Sequence, residues 1–168
     1  MGPRPNKIND LPNYVNSKSF LYADDTTFFN SHNDFNVLQD LVVSSLEEAS
    51  TWFQSNGFLL NNSKTQNILF SLRQIPQGNR LNEFCSNVKF LGIYIDSKLN
   101  WNDHIDYISK KLSRVIYLLR KIINYVPSSY FKSAYYAYFQ SIVRYGLIIW
   151  GNGSKIQEIL IIHKKKQL

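Results

Sequence analysis

Two runs of β-favouring residues flank an acidic pair near the start of the chain, and an amphipathic pattern follows them. Residues 19–30 mix aromatic, aliphatic and threonine side chains around Asp24-Asp25, which predicts a hairpin with both carboxylates at its turn. Apolar residues then recur at steps of three and four from Asp34, a predicted N-cap, to Asn56-Gly57, a predicted helix stop. The side chains expected to face inward from this helix are Phe35, Leu38, Val42, Leu46, Ala49 and Phe53.

The segments around this helix carry shorter patterns. Residues 1–16 are expected to be irregular, because three prolines oppose a continuous helix or a central strand. Residues 58–60 and 65–72 are predicted strands, and residues 73–87 are a predicted loop. Residues 88–96 alternate two apolar faces and are predicted to form one strand.

The rest of the chain is predicted to be helical. Residues 103–124 have the spacing of a long amphipathic helix, which Pro127 ends. A second helix is expected from Ser128 to about Tyr145, then a turn or short extended piece over residues 146–153 and a last short helix. The side chains expected to face inward are Ile105, Ile108, Leu112, Val115, Leu119 and Ile122 in the first helix, and Phe131, Ala134, Tyr135, Tyr138, Phe139 and Ile142 in the second.

The fold class predicted from these elements is α+β, with a mixed first part and a helical second part. Charge separates nearly the same parts: residues 1–96 contain 7 Lys/Arg and 9 Asp/Glu, whereas residues 97–168 contain 12 Lys/Arg and 3 Asp/Glu. The basic second part suits a polyanion as partner. A soluble helical surface that happens to use lysine is the alternative explanation.

Composition excludes several classes of protein. With 44% hydrophobic and 18% charged residues, the chain has a globular composition and not a disordered one. The single cysteine, Cys85, excludes an internal disulfide and predicts an intracellular, reducing compartment, either cytoplasm or nucleus. No apolar run approaches the roughly 20 residues that span a bilayer, so no membrane partner is expected.

The acidic pair Asp24-Asp25 is the first candidate for chemistry. Adjacent carboxylates on a tight turn repel each other, so the pair is costly unless a cation binds there. Mg²⁺ suits it, because this hard ion is held through one or two carboxylates plus substrate phosphates. In a two-metal site it would orient an attacking hydroxyl and neutralise a leaving pyrophosphate. A solvated acidic turn is the alternative explanation of the pair taken alone.

The ordered neighbourhood of this pair resembles the reverse transcriptases of non-LTR retrotransposons, of the LINE or Jockey-like kind. Residues 20–27, Phe-Leu-Tyr-Ala-Asp-Asp-Thr-Thr, look like their catalytic hairpin, motif C. Further similar segments cover nearly the whole chain in the family's order. They are Gly2-Pro3 with residues 8–12 (the end of motif B and its link), residues 52–65 (motif D), residues 88–104 (the segment of the primer grip), and Tyr145-Gly146 with Trp150-Gly151 (a thumb signature).

The resemblance implies a division of the chain and a metal site. Residues 1–16 would be an irregular remnant of the motif B region, residues 17–101 a partial palm of antiparallel hairpins plus a helix, and residues 102–168 a helical thumb-like region. Asp24 would be the main ligand of both catalytic Mg²⁺ ions, with Asp25 as a weaker second carboxylate.

The resemblance also implies contacts with nucleotides and with an RNA template and DNA primer. Tyr22 and Ala23 would lie beneath the incoming nucleotide or the primer end. Lys64 would give a proton to pyrophosphate or hold phosphate, and Gly92 would let the backbone approach the primer closely. A water-facing lysine and a β-bulge are the structural alternatives for these two residues. The cations expected to contact the nucleic-acid backbone are Lys110, Lys111, Arg114, Arg120 and Lys121, with Lys132 and Arg144 on the next helix.

A palm of this family needs another aspartate, on a strand upstream of the hairpin, and fingers that hold template and nucleotide. Those segments are expected before residue 1, so the chain is expected to be a fragment of an RNA-directed DNA polymerase that does not polymerise alone. The rival function is that of a non-catalytic nucleic-acid binder whose hairpin is vestigial. A third possibility is that a partial palm exposes a strand edge and aggregates.

Overall fold

The computed structural model describes residues 10–61, 63–72, 84–153, 155–157 and 159. It divides the chain into two units. Unit 1 comprises Met1–Asn67 and Arg73–Phe84, and unit 2 comprises Ile68–Leu72 and Cys85–Leu168. Both units combine an antiparallel two-stranded hairpin with helices, so the fold class is α+β, as predicted. The predicted boundary at residue 101 lies inside unit 2.

A two-residue turn closes the hairpin of unit 1. Strand β1 (Lys18–Tyr22) pairs with strand β2 (Asp25–Phe29), and Tyr22 lies opposite Asp25. Ala23 has a φ of 52°, a left-handed conformation that costs an alanine about 1 kcal/mol. The predicted hairpin is confirmed, with Asp24 in its turn and Asp25 as the first residue of β2.

Helix α2 (Phe35–Ser55) begins and ends where the sequence predicts. The Asp34 carboxylate accepts hydrogen bonds from two backbone N–H groups of the first turn, at 2.8 and 3.2 Å. Gly57 follows the last turn at a φ of 76°, and the backbone N–H groups of Gly57 and Phe58 donate to carbonyls of that turn at 3.1 and 2.8 Å. These bonds form a Schellman motif, which the Asn-Gly pair had indicated.

The segment before the first hairpin is not irregular throughout, contrary to the prediction. Helix α1 (Leu11–Tyr14) is a single turn, and Leu11 and Val15 form the core of unit 1 with Ala49 and Trp52 of α2. A proline is tolerated in this turn, because the first residues of a helix have no intrahelical partner for their N–H groups.

The buried side of α2 departs from the predicted stripe. Ala49 is buried as predicted, whereas Gln39 and Ser45 are buried although both are polar. The Ser45 hydroxyl donates to the Leu41 carbonyl at 2.7 Å, a local bond that lets a small polar side chain be buried. The remaining members of the predicted stripe are only half-buried: Phe35, Leu38, Val42, Leu46 and Phe53.

The strands predicted after α2 are absent from the described residues. Residues 58–60 and 65–72 have no strand structure, so this prediction is wrong. A β-favouring sequence needs a paired neighbour to become a stable strand, and neither segment has one in the described part. Leu59 and Leu72 consequently stay fully exposed, at 97% and 108%. Residues 73–83 of the predicted loop lie outside the described residues.

The single strand predicted over residues 88–96 is a hairpin instead. Strand β3 (Asn87–Phe90) pairs with strand β4 (Ile93–Asp96) across a turn at Leu91-Gly92. Both turn residues have positive φ, 46° and 82°, as a type I′ turn requires. The alternating pattern is compatible with one long strand, so periodicity alone could not reveal this turn.

Helix α3 (Asn102–Ile122) forms the core of unit 2 and confirms the predicted long helix. Most of its predicted stripe is buried, but Ile116 is buried where Val115 was expected, and Ile122 is exposed. Its buried apolar side chains are Ile105, Ile108, Leu112, Ile116 and Leu119.

The second predicted helix is interrupted by a different helical geometry. It consists of α4 (Ser128–Ala134), a π-helical segment (Tyr135–Gln140) and α5 (Ser141–Arg144). Bonds from each residue to the fifth before it widen the turn, so the stripe shifts by one residue. Phe139 is buried as predicted, whereas Tyr138 is 65% exposed and the prediction for it is wrong.

A short helix replaces the turn or extended piece predicted over residues 146–153. Helix α6 (Leu147–Trp150) follows Gly146, which has a φ of 66°. Trp150 is fully buried in the core around α3. Most of the predicted last short helix lies outside the described residues, since residues 154, 158 and 160–168 are not among them.

Candidate functional site

The tip of the β1–β2 hairpin presents two carboxylates to solvent. Asp24 and Asp25 are both exposed, and so is Tyr22, at 65%. Because Tyr22 and Asp25 are directly opposed across the strands, their side chains leave the hairpin on the same face. Phe20, two residues before Tyr22 and 58% exposed, extends that face. The tip therefore combines hard oxygen ligands with open aromatic surface.

The chemistry of Asp24 and Asp25 fits Mg²⁺, which binds through one or two carboxylates and fills its remaining positions with water and substrate phosphates. Among the described residues, no group of three or more His, Cys, Asp or Glu side chains could hold a metal ion. The pair could therefore contribute ligands to a metal site, and further ligands would have to come from water, a phosphate substrate or other residues.

Lys64 lies on a separate turn of unit 1. The Asn61 carbonyl accepts hydrogen bonds from the backbone N–H groups of Lys64 and Thr65 at 3.0 and 3.2 Å, and the Lys64 side chain is exposed. No hydrogen bond or ion pair joins Lys64 to Asp24 or Asp25 in the part of the chain that the structure describes. Tyr22, Ala23 and the two carboxylates thus share the hairpin tip, whereas Lys64 lies on another segment of the chain and is not bonded to the carboxylates.

Gly92, the other predicted primer contact, lies at the tip of the β3–β4 hairpin in unit 2. Its backbone is exposed, and the Tyr145 ring lies against the turn: a Cβ on Gly92 would be 3.7 Å from Tyr145 Cε1. The Tyr145 hydroxyl donates to the Leu91 carbonyl at 2.5 Å. The positive φ of 82° favours glycine here, and the register of β3 and β4 contains no β-bulge.

The Tyr145-Gly146 and Trp150-Gly151 pairs have a structural role. Trp150 Nε1 donates to the Tyr145 carbonyl at 2.8 Å, and Tyr145 in turn binds the β3–β4 turn. Gly146 lies between them, and a Cβ on it would be 2.7 Å from Cδ1 of Ile93 in β4. These residues therefore connect the C-terminal part of unit 2 to its hairpin.

His104 lies inside this arrangement. It is 1% exposed, its ring makes an edge contact with Trp150 at 5.5 Å between centroids, and its Nδ1 accepts from the Tyr94 backbone N–H at 3.3 Å. Nε2 is buried and has no hydrogen-bond partner in the described part of the chain. Burial lowers the pKa of His104, because the charged ring would lose its hydration.

We expect the stability of unit 2 to fall as the pH drops below about 6.5. The unfolded chain takes up a proton on His104 near its ordinary pKa of 6.5, whereas the folded chain takes it up only at a lower pH. The contribution of neutral His104 is therefore complete above 6.5 and is lost as the pH falls toward the folded pKa. Urea unfolding between pH 7.5 and 5 measures this loss, and His104→Phe should reduce it. An unchanged pH dependence in that variant would assign the effect to other groups.

The loop before α3 is organised by one carboxylate. Asp96 accepts hydrogen bonds from the backbone N–H groups of Lys98, Asn100 and Trp101 at 3.0, 3.0 and 2.8 Å. Two residues of this loop, Leu99 and Trp101, have positive φ of 54° and 63°. Partial burial raises the pKa of Asp96, but the N–H donors of Asn100, Trp101 and Lys98 outweigh it, and the pKa is lowered.

Lys132 and Arg144 are exposed on α4 and α5, and the other five predicted backbone-binding cations lie on the outer surface of α3. All five are exposed, and none pairs with a carboxylate in the described part of the chain. Lys110, Arg114 and Lys121 follow each other at steps of four and seven, so they share a face of the helix. That face is opposite the buried stripe, and over it the helix advances about 16 Å. The remaining two cations, Lys111 and Arg120, flank it on either side.

Sequence reasoning missed two side chains on this outer face. Tyr117 and Leu118 are 62% and 61% exposed, and Lys121 Nζ lies 5.6 Å from the centre of the Tyr117 ring. Tyr117 is three residues after Arg114 and four before Lys121, which is the spacing of one helical face. Plotting position 117 on the helix would have placed it among the cations and away from the core.

The chain matches no protein-family model, no curated protein and no solved structure. Among the described helices, none has both the length and the apolar character needed to cross a membrane.

Proposed function

We propose that this chain is a partial reverse transcriptase of the non-LTR retrotransposon kind, an RNA-directed DNA polymerase in ancestry. In this proposal Asp24 and Asp25 are metal-binding carboxylates for nucleotidyl transfer, and unit 2 holds the backbone of the template and primer. The observation that carries the proposal is the position of two adjacent, exposed carboxylates at a two-residue hairpin turn.

The local geometry around the pair supports this function in two ways. The left-handed φ of Ala23 closes the turn within two residues, which places Asp24 in the turn and Asp25 directly after it at the hairpin tip. Strain of this kind in a non-glycine residue persists where surrounding structure enforces it, and it is frequent at ligand-binding positions. The exposed Tyr22 ring on the face of Asp25 offers a planar surface on which a nucleotide base or sugar could lie.

We expect divalent metal to bind at the hairpin tip and nucleotide incorporation to be absent. With two carboxylates and no third protein ligand, the described residues cannot hold two Mg²⁺ ions in line with a nucleotide. Mn²⁺, a paramagnetic substitute for Mg²⁺, should broaden the amide resonances of residues 22–25 first. Asp24→Asn should remove that broadening, because it removes one of the two charges that attract the ion.

Glu47→Gln is the matched control for this metal experiment, since Glu47 belongs to the other adjacent acidic pair of unit 1, on α2. It should leave the broadening of residues 22–25 unchanged. Broadening that is equal at both pairs would mean that the hairpin has no metal preference. Primer extension by the purified chain, dependent on Mg²⁺ and abolished by Asp24→Ala, would contradict the expected inactivity.

A second candidate function, nucleic-acid binding without catalysis, is favoured by the outer face of α3. Between Asp106 and Glu158 the sequence contains 8 Lys/Arg and no Asp or Glu, so no carboxylate of this stretch offsets the field of the five α3 cations. A basic helix of this kind can contact phosphates without reading bases. Binding of this kind does not require the hairpin to retain any activity.

Duplex binding by unit 2 should depend steeply on salt. If Lys110, Arg114 and Lys121 each neutralise a phosphate, the logarithm of the affinity should fall with the logarithm of salt at a slope of about −3. Lys110→Ala should reduce the magnitude of that slope by about 1. The matched control is Lys98→Ala, since Lys98 is an exposed cation on the loop before α3. This variant should leave the slope unchanged. Absence of binding at low salt would exclude this candidate function.

A further inference from the structure

The outer face of α3 presents exposed aromatic and aliphatic side chains as well as cations. Tyr117 lies between Arg114 and Lys121 on this face and exposes 62% of its surface, with the Lys121 ammonium 5.6 Å from the ring centre. Leu118 beside it is 61% exposed. An ammonium over one face of the ring restrains the side chain and leaves its remaining surface open.

We infer that this face binds single-stranded nucleic acid by stacking an unpaired base on Tyr117 while Lys110, Arg114 and Lys121 hold the adjoining phosphates. The inference rests on the proposed nucleic-acid binding by α3 and adds a preference for an unpaired strand. A nucleotide combines a planar base with a nearby anion, and Tyr117 and Lys121 present the complementary pair, an aromatic ring with a cation beside it. Stacking tolerates any base, because every base has a π-face.

The charges and the burial of α3 favour this partner over an anionic membrane. Membrane-surface helices insert a continuous apolar face into the lipid. The continuous apolar face of α3 is buried in the core of unit 2, through Ile105, Ile108, Leu112 and their neighbours. Among the described residues of α3 the exposed large apolar side chains are Tyr117, Leu118 and Ile122, which provide a ring for stacking but little area for insertion.

A comparison of two oligonucleotides with the full chain tests the inference. Fluorescence anisotropy with an oligothymidylate and with a blunt duplex of equal length should show binding to both at low salt. Tyr117→Leu should weaken binding to the oligothymidylate by about 5- to 100-fold and binding to the duplex by much less. Because Tyr117 is uncharged, its loss should leave the salt slope for both oligonucleotides unchanged. Tyr117→Trp should restore single-strand affinity, since it keeps an aromatic surface.

Tyr130→Leu is the matched control, since Tyr130 is 70% exposed on α4 and lies outside the cationic face of α3. It should bind both oligonucleotides like the original chain. Equal weakening of both oligonucleotides by Tyr117→Leu, or of neither, would overturn the inference while leaving backbone binding intact. If neither oligonucleotide binds at low salt, the proposed nucleic-acid binding by α3 is contradicted as well. Binding to phosphatidylserine vesicles but to neither oligonucleotide would overturn it in favour of a lipid surface.

Discussion

Replacing Gly146 by alanine should destabilise unit 2 by about 3 kcal/mol, because two separate penalties add. The φ of 66° costs an alanine about 1 kcal/mol. The new Cβ would also lie 2.7 Å from Cδ1 of Ile93, the end of a buried side chain, so Ile93 must leave its rotamer or the hairpin strand or α6 must shift. Forcing an extra carbon into a packed core costs about 2 kcal/mol. Native-state hydrogen exchange of the α3 amides reports this loss for unit 2 specifically.

Two further variants separate these penalties. Gly92→Ala places alanine at a φ of 82° in the same unit, but the nearest atom is Tyr145 Cε1 at 3.7 Å, an ordinary contact. It should therefore cost only about 1 kcal/mol. Ile93→Val removes the Cδ1 atom itself, and in the double variant it should recover part of the loss caused by Gly146→Ala. If the stability losses of Gly146→Ala and Ile93→Val are additive in the double variant, Ile93 is not the source of the second penalty.

Local chemistry was enough to predict the helix ends and the hairpin of unit 1. Asp34 and Gly57 each act through their own backbone neighbours, so a cap and a stop are visible in a few residues. The same holds for the turn at Asp24, where β-favouring residues lie on both sides. These elements depend on contacts between residues that are close in sequence.

The failed predictions depend on distant partners or on helix geometry. Residues 58–60 and 65–72 have the composition of strands, but composition does not supply a neighbouring strand. Tyr138 was expected inside because an α-helical period was assumed, and the π-helical segment Tyr135–Gln140 buries Phe139 without it. No spacing rule in the sequence signals that change of period.

The residues of the candidate site also fall into those that the sequence could predict and those that it could not. The carboxylates Asp24 and Asp25 and the cations of α3 could be predicted, because each set lies on one element with a regular geometry. The arrangement of Tyr145, Trp150 and His104 could not be predicted, since it joins Tyr145 to Leu91, 54 residues earlier in the chain, and Trp150 to His104. The resemblance had pointed to Tyr145 and Trp150 as a signature without giving a reason. Their hydrogen bonds supply a structural reason for these residues.

Asp96→Ala should destabilise unit 2 by about 2 kcal/mol and disturb the start of α3. The carboxylate accepts hydrogen bonds from three backbone N–H groups. Removing a charged acceptor of such bonds costs about 2 kcal/mol of stability. Those bonds also keep Leu99 and Trp101 at positive φ, which neither residue favours by itself. Hydrogen exchange should accelerate first at the amides of Lys98, Asn100 and Trp101.

The Asp96→Asn variant and the pH dependence of stability separate the contribution of the hydrogen bonds from that of the Asp96 charge. An asparagine whose Oδ1 keeps the bonds from Lys98 and Asn100 loses only the bond from Trp101. Asp96→Asn should therefore destabilise unit 2 less than Asp96→Ala.

The lowered pKa of Asp96 means that its contribution to stability is complete above its ordinary pKa of 3.8. That contribution is lost as the pH falls through the folded pKa. His104 begins to lose its contribution at a higher pH, below 6.5, so its loss starts before that of Asp96 as the pH falls. Acid unfolding of Asp96→Asn should therefore lack the low-pH step and keep the other. Loss of both steps in this variant would show that the hairpin and the loop before α3 unfold as one with the His104 core.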